Sequence, residues 1–180
     1  MSNNELISFI KKCSIDSVDL PIRIESSNVL QAALSLFINR TKKQLKVYLR
    51  FLDEENNELF EALNTDNIIR NLNEFLNQPG TSLTIITNDA KQVRKSSFFQ
   101  CISDKKPKVY SLNSKIEQGL TKRSYIISDE SSLLVGYFSY KESIEPEMSF
   151  INFHDENASG SLSAHFRQVI DLILNGGKSK

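Results

Sequence analysis

Histidine and cysteine, which carry most nucleophilic and metal chemistry, are nearly absent: the chain holds two of each. Cys13 and Cys101 stand far apart, with no CxxC or other metal spacing. No HExxH and no GxSxG occurs, so zincin and hydrolase-elbow chemistry have no sequence support. The six glycines are scattered, and none makes GxGxxG or GxxxxGK, so no glycine-rich loop cradles a phosphate. No cofactor is expected. No apolar run reaches membrane length, and "MSNNELISFIKKC" places Leu6, Ile7, Phe9 and Ile10 as a short amphipathic helix rather than a secretory leader. Two thiols and no leader point to a reducing, cytoplasmic setting away from the membrane.

What is present is an ordinary globular composition of 180 residues, enough for one domain with a real core. Residues 1–176 are expected to form that domain, with 1–20 as an N-terminal helix and lead-in and 177–180 as a disordered tail. The formal charge is zero, but it is unevenly placed. Residues 53–66 carry six acids and no base, and residues 129–156 carry seven acids and one base. Residues 89–123 carry nine bases against three acids, which reads either as a solvated face or as a surface that meets an anion.

The hydrophobic pattern alternates helix and strand. Helices are expected over 3–12, from Ser26 or Ser27 toward Lys43, and from Thr65 or Asp66 to Asn77. Residues 20–26 read as an edge strand. Residues 44–51 set Leu45, Val47, Leu49 and Phe51 against Lys46, Tyr48 and Arg50, and 82–87 is a short β-branched strand. "NELFEAL" (57–63) reads as a helical turn and 89–101 as basic helix. A strand at 106–112 and a turn at 113–119 follow. "KRSYIISDESSLLVGYF" (122–138) reads as two strands joined at "DESS". A strand at 147–153 and a final helix at 158–175 complete a mixed α/β sheet flanked by helices.

The order helix, strand, helix, parallel strand, basic region, strand ending in Asp, strand with Gly, late helix resembles one half of a phospholipase D-like fold, over about residues 26–174. That family's signature is His-x-Lys, four residues, Asp, then Gly-Ser and a later Asn. Alignment on Asp129 gives Lys122-Arg123-Ser124-Tyr125-Ile126-Ile127-Ser128-Asp129, with Lys122 at the His position and Ser124 at the Lys position. Gly136 matches the glycine, and Tyr137 stands where Ser is usual. The resemblance implies a phosphohistidine mechanism in active members, built from two paired half-sites. Lys122 cannot supply it, because an exposed ammonium is protonated at neutral pH and has no lone pair for attack. The motif is therefore degenerate and implies no catalytic residue. What it leaves is a candidate anion site of Lys122, Arg123, Ser124 and Asp129, or a plain hairpin with surface cations.

Other constellations stay open. His154 beside Asp155 could orient an imidazole or bind a metal, but it has no second ligand at recognised spacing. His165 adjoins Phe166 and reads as a boundary position. "SSFFQC" (96–101) beside "KQVRK" interleaves aromatics with bases, as single-stranded nucleic-acid binders do, and equally fits a helix with one buried face. The acidic 53–61 segment lacks EF-hand spacing and its glycine. The expectation is a pseudoenzyme: a non-catalytic binding or accessory module of a bacterial cytosolic system. Its partner would be a protein, a second copy of itself, or nucleic acid through 89–123. The alternative is a diverged phosphodiesterase or nuclease using His154.

Overall fold

The structure, a computed structural model, describes residues 2–52, 57–102, 107–129, 131–136 and 149–176. The expected tail 177–180, Tyr137 and the acidic stretch 53–56 lie outside the described residues.

The first helix, α1 (Asn3–Asp16), is longer than its apolar pattern suggested. A reciprocal Ser2–Glu5 capping box starts it, and Ser17 ends it in a left-handed conformation with φ 52°. Strand β1 (Ile22–Ile24) is an edge strand, as expected. Helix α2 (Ser27–Arg40) is capped by the Ser26 hydroxyl and leads into β2 (Gln44–Leu49). Helices α3 (Glu58–Leu63) and α4 (Asp66–Asn77) carry the chain over to β3 (Ser82–Thr87), parallel to β2. The basic stretch forms not one helix but two, α5 (Ala90–Lys95) and α6 (Ser97–Cys101). Ser96 is extended between them, and its hydroxyl caps α6 by accepting from Phe99 N. Parallel β4 (Lys108–Ser111) and the single turn α7 (Ser114–Glu117) follow. The hairpin pairs β5 (Ser124–Ser128) with β6 (Ser132–Gly136). Strand β7 (Ser149–Asn152) and α8 (Glu156–Leu174) complete the chain.

The seven strands lie in the order β1-β7-β6-β5-β2-β3-β4. Strands β2, β3 and β4 are mutually parallel, and the remaining pairings are antiparallel. Each face carries its own apolar core. Leu45, Val47, Leu49, Ile85 and Ile126 point toward α1 to α6, while Tyr48, Ile86, Tyr125, Ile127 and Leu133 point toward α7 and α8. The polar side of the β2 alternation is therefore buried too: Lys46 and Arg50 are covered by the second layer of helices. Among the described residues no helix is long and apolar enough to cross a membrane.

The path from β4 to β5 decides where a site can be. The carboxyl ends of β2, β3 and β4 and the amino end of β5 share one edge of the sheet. Residues 112–123 run along that edge from β4, past β3 and β2, to β5. Leu112 N bonds Thr87 O at one end, and Thr121 O accepts from Tyr48 Oη near the other.

Candidate anion-binding edge

In open α/β sheets a ligand crevice commonly forms outside the carboxyl ends of the parallel strands. Here the 112–123 connection fills that position with a polar network of the chain's own side chains. Arg50, with its side chain 4% exposed, donates from Nη2 to Glu117 Oε1 at 2.9 Å and from Nη1 to Tyr48 Oη at 3.3 Å. Its Nε is buried without a hydrogen-bond partner among the described residues. Asn88 holds the same carboxylate through Nδ2 at 3.0 Å and exchanges two hydrogen bonds with the Phe51 backbone. Charge-assisted bonds of this kind tie the ends of β2 and β3 to α7.

The four residues singled out by the motif are not gathered into one pocket. Lys122 and Arg123 are exposed, just before β5. Ser124, 2% exposed, begins β5, and its hydroxyl accepts from Arg50 N at 3.0 Å and Asn57 Nδ2 at 3.4 Å. Asp129 follows the far end of the strand, about 16 Å away at ~3.3 Å per residue. Its carboxylate accepts from three successive backbone amides, Lys42 N at 2.6 Å, Lys43 N at 2.9 Å and Gln44 N at 2.8 Å. It sits at φ 49°, a left-handed conformation that Asp tolerates better than most residues. Nearby, Thr41 Oγ1 and Ser128 Oγ lie 2.7 Å apart. Asp129 thus clamps the α2–β2 junction to the end of β5. Gly136 ends β6 where a Cβ would fall 2.1 Å from Ser149 Oγ and 2.7 Å from Ser149 Cα, so β7 approaches too closely for any side chain.

His154 lies at the Asp129 end of the hairpin, since Asp155 N donates to Ser131 O at 2.8 Å. The Asp155 carboxylate caps α8 by accepting from Ala158 N. His154 itself is exposed, with its backbone N–H held by Asn152 Oδ1. Among the described residues no group of three or more His, Cys, Asp or Glu side chains is placed to hold a metal. His165 does more than sit at a boundary. Its Nδ1 lies 2.8 Å from Tyr125 Oη, and Tyr125 stacks on Tyr48 with ring centroids 4.8 Å apart. Burial pushes His165 below its ordinary range and Tyr125 above it, so at neutral pH the phenol donates to an unprotonated Nδ1. Sequence reasoning missed this pair because the two residues lie forty positions apart, on a strand and on a helix.

Exposed cations stand on the segments between β3 and β5 that leave or reach this edge. Lys91, Arg94 and Lys95 project from α5 beyond β3, Lys115 from α7 beyond β4, and Lys122 and Arg123 precede β5. The described acids of 88–123 are turned to structural use: Asp89 caps α5 by accepting from Gln92 N, and Glu117 holds Arg50 and Asn88.

No protein-family model matches the sequence, and no curated protein matches it. Solved structures do. Nuc from Salmonella typhimurium, a phospholipase D family member, is similar at 11% identity with TM-score 0.49, over 77% of this chain and 84% of its own. NucT from Helicobacter pylori is similar at 14% identity with TM-score 0.54, over 84% of this chain and 94% of its own. TrmBL2, an archaeal chromatin protein whose structure shows a novel mode of DNA binding, is similar at 11% identity with TM-score 0.56. That likeness covers 93% of this chain and 58% of TrmBL2, so the chain spans a little over half of that protein's length. At such identities the likeness speaks for the fold alone: a seven-stranded mixed α/β sheet with flanking helices, similar to those of NucT and TrmBL2.

Proposed function

We propose that this chain is a non-catalytic module that binds nucleic acid along the carboxyl edge of its parallel strands. The exposed cations Lys91, Arg94, Lys95, Lys115, Lys122 and Arg123 contact phosphates. The observation that carries the reading is that these six residues are exposed on the segments that leave the carboxyl ends of β3 and β4 or lead into the amino end of β5, while Asp89 and Glu117 of the same stretch bond to the chain's own groups. The space beneath them is filled by the Arg50–Glu117–Asn88 network, and the position aligned with the nucleophile holds Lys122. Cations on a rim above a filled crevice suit a backbone lying across the surface better than a reacting phosphate held inside it. TrmBL2, which is similar to this chain over 58% of its own length, has a structure that shows a novel mode of DNA binding, and this supports the reading. Ser124 and Asp129 act on this anion site through the frame: one fixes the start of β5, the other its end.

The test is fluorescence anisotropy with a labelled single-stranded oligonucleotide at several salt concentrations. Removing two phosphate contacts with Lys122→Ala/Arg123→Ala should weaken binding and reduce the salt slope by about 1.4, at ~0.7 per contact. Unchanged affinity and slope would remove these residues from the interface. The same oligonucleotide should remain intact on prolonged incubation. Cleavage that His154→Ala abolishes would establish the nuclease alternative instead.

One observation favours a protein partner as a second reading. Phe9 (37% exposed), Ile15 (71%), Val18 (37%) and Leu20 (40%) lie on α1 and the lead-in to edge strand β1. A concentration-dependent mass in light scattering, abolished by Ile15→Glu, would support self-association through this patch.

A further inference from the structure

The sheet ends at β1, which pairs only with β7 among the described residues. An open edge of this kind is a template for another strand. Beside it lies a groove of about 340 Å³, lined by Leu6 and Phe9 of α1 and by Leu20, Ile22, Arg23 and Glu25 along the strand. Ile22 and Ile24 belong to the core that faces α1, so Arg23 between them points to the opposite face. Glu25 joins Arg23 there, with Nε and Oε1 3.0 Å apart and the two side chains 51% and 63% exposed. A groove lined both by α1 and by these charges therefore runs along the open edge itself.

The residue order Ile22-Arg23-Ile24-Glu25-Ser26 selects the strand that fits this edge. Directly opposite residues of an antiparallel pair share a face, and unlike charges there are favourable. Two copies paired about Ile24 set Ile24 opposite Ile24, and Arg23 of each copy opposite Glu25 of the other. Pairing about Arg23 or Glu25 sets like charges face to face, and a shift by one residue sets charges against isoleucines. Ser26 is extended, with φ −150° and ψ 153°, so it can lie opposite Ile22. Pro21 has no N–H to donate and ends the pairing. The formal charge of zero leaves two copies without net repulsion.

We propose that the partner of this edge is a second copy of the chain, joined by antiparallel pairing of the two β1 strands about Ile24 into one continuous sheet. This rests on the self-association reading above and names its geometry. Two Arg23–Glu25 pairs cross the joint and, with the pair inside each copy, make a ring of alternating charge. The two-fold axis stands perpendicular to the sheet, so both α1 helices lie on the same side, with Phe9 of each beside the joint. Such an isologous contact closes on itself and builds a dimer, not a filament.

The experiment is sedimentation velocity of the full chain over a range of concentrations, with wild type, Arg23→Glu, Glu25→Arg and an equal mixture of the two variants. Wild type should pass from monomer to dimer and no further. Each variant alone sets like charges opposite each other at two places in the joint, so its dimer Kd should rise about tenfold or more, with an unchanged melting temperature. The mixture should regain the dimer, because a chain with two acids then faces a chain with two bases. Mixing cannot repair an effect confined to one chain. A wild type that stays monomeric at every concentration would overturn both the proposal and the self-association reading. A wild-type dimer that either substitution leaves unchanged, or a mixture no tighter than its components, would overturn the β1 joint alone. Masses growing beyond the dimer would overturn it as well, since they require an open-ended contact.

Discussion

Asp129 is the residue on which the family motif and the geometry differ most in what they ask of it. The motif places it in a site, whereas its carboxylate holds three consecutive backbone amides at Lys42, Lys43 and Gln44. Asp129→Ala removes all three bonds and leaves a Cβ-bearing residue at φ 49°. Buried charge-assisted bonds contribute about 1.5–3 kcal/mol each, but this carboxylate is partly exposed and water can take over, so ~0.5–1 kcal/mol each is the fitting scale. The left-handed backbone adds about 1 kcal/mol. The sum is about 3 kcal/mol, or roughly 6–12 °C in Tm for a chain of this size. Asp129→Asn keeps the backbone preference, and its single carbonyl oxygen can still accept from Lys43 and Gln44, so its cost should be about 1 kcal/mol. Asp129→Gly relieves the backbone alone and should fall between the two. Urea denaturation with linear extrapolation measures the series, alongside oligonucleotide anisotropy at a temperature where every variant is folded. With Asp129 acting as a clamp, stability should fall in the order wild type, Asn, Gly, Ala, with binding retained throughout. An Asp129→Ala protein within about 0.5 kcal/mol of wild type that no longer binds the oligonucleotide would refute it and return Asp129 to the ligand.

Other outcomes follow from the same structure. Gly136→Ala forces Cβ into Ser149, including its backbone, and should cost about 1–3 kcal/mol by overpacking, measurable by urea denaturation; a neutral result would mean that β7 can shift away. Burial lowers His165 below its ordinary 6.5, so between its folded and unfolded pKa values the unfolded chain binds more protons. Stability should therefore fall as pH drops below about 6.5 through the folded value, and His165→Gln should flatten that part of a Tm-against-pH profile. Cys101 is exposed, while Cys13 is 4% exposed with its thiol pushed up by burial. A thiol reagent should thus label one equivalent quickly in the native protein, and Cys101→Ser should remove that fast phase. Glu117→Ala leaves the Arg50 guanidinium buried without its carboxylate and should cost about 2–3 kcal/mol, below the range for fully buried pairs because Glu117 is 31% exposed.

Local chemistry in the sequence was enough to determine most of the elements. Ser26, Asn57 and Asp89 mark helix starts through side-chain caps. The β-branched run at 82–87 gives β3 with its bounds, and the edge position of β1 follows from its short alternating pattern. The split at Ser96 was missed because a serine inside an apolar, basic stretch carries no strong break signal until its hydroxyl finds Phe99 N. The candidate site was legible only in part. The charge of 89–123 and the missing histidine are sequence facts, and Lys122 and Arg123 are exposed, as surface cations are expected to be. Topology decided the rest. Because the chain crosses from β4 over β3 and β2 to reach β5, Glu117 meets Arg50 across 67 positions and fills the crevice. Because α8 returns over the second face, Lys46 is buried beside Ser163, 117 positions away, and Tyr125 meets His165. Periodicity reports which side of its own element a residue occupies. Only the packing of elements distant in sequence says which side chains share a pocket, and so what they can bind.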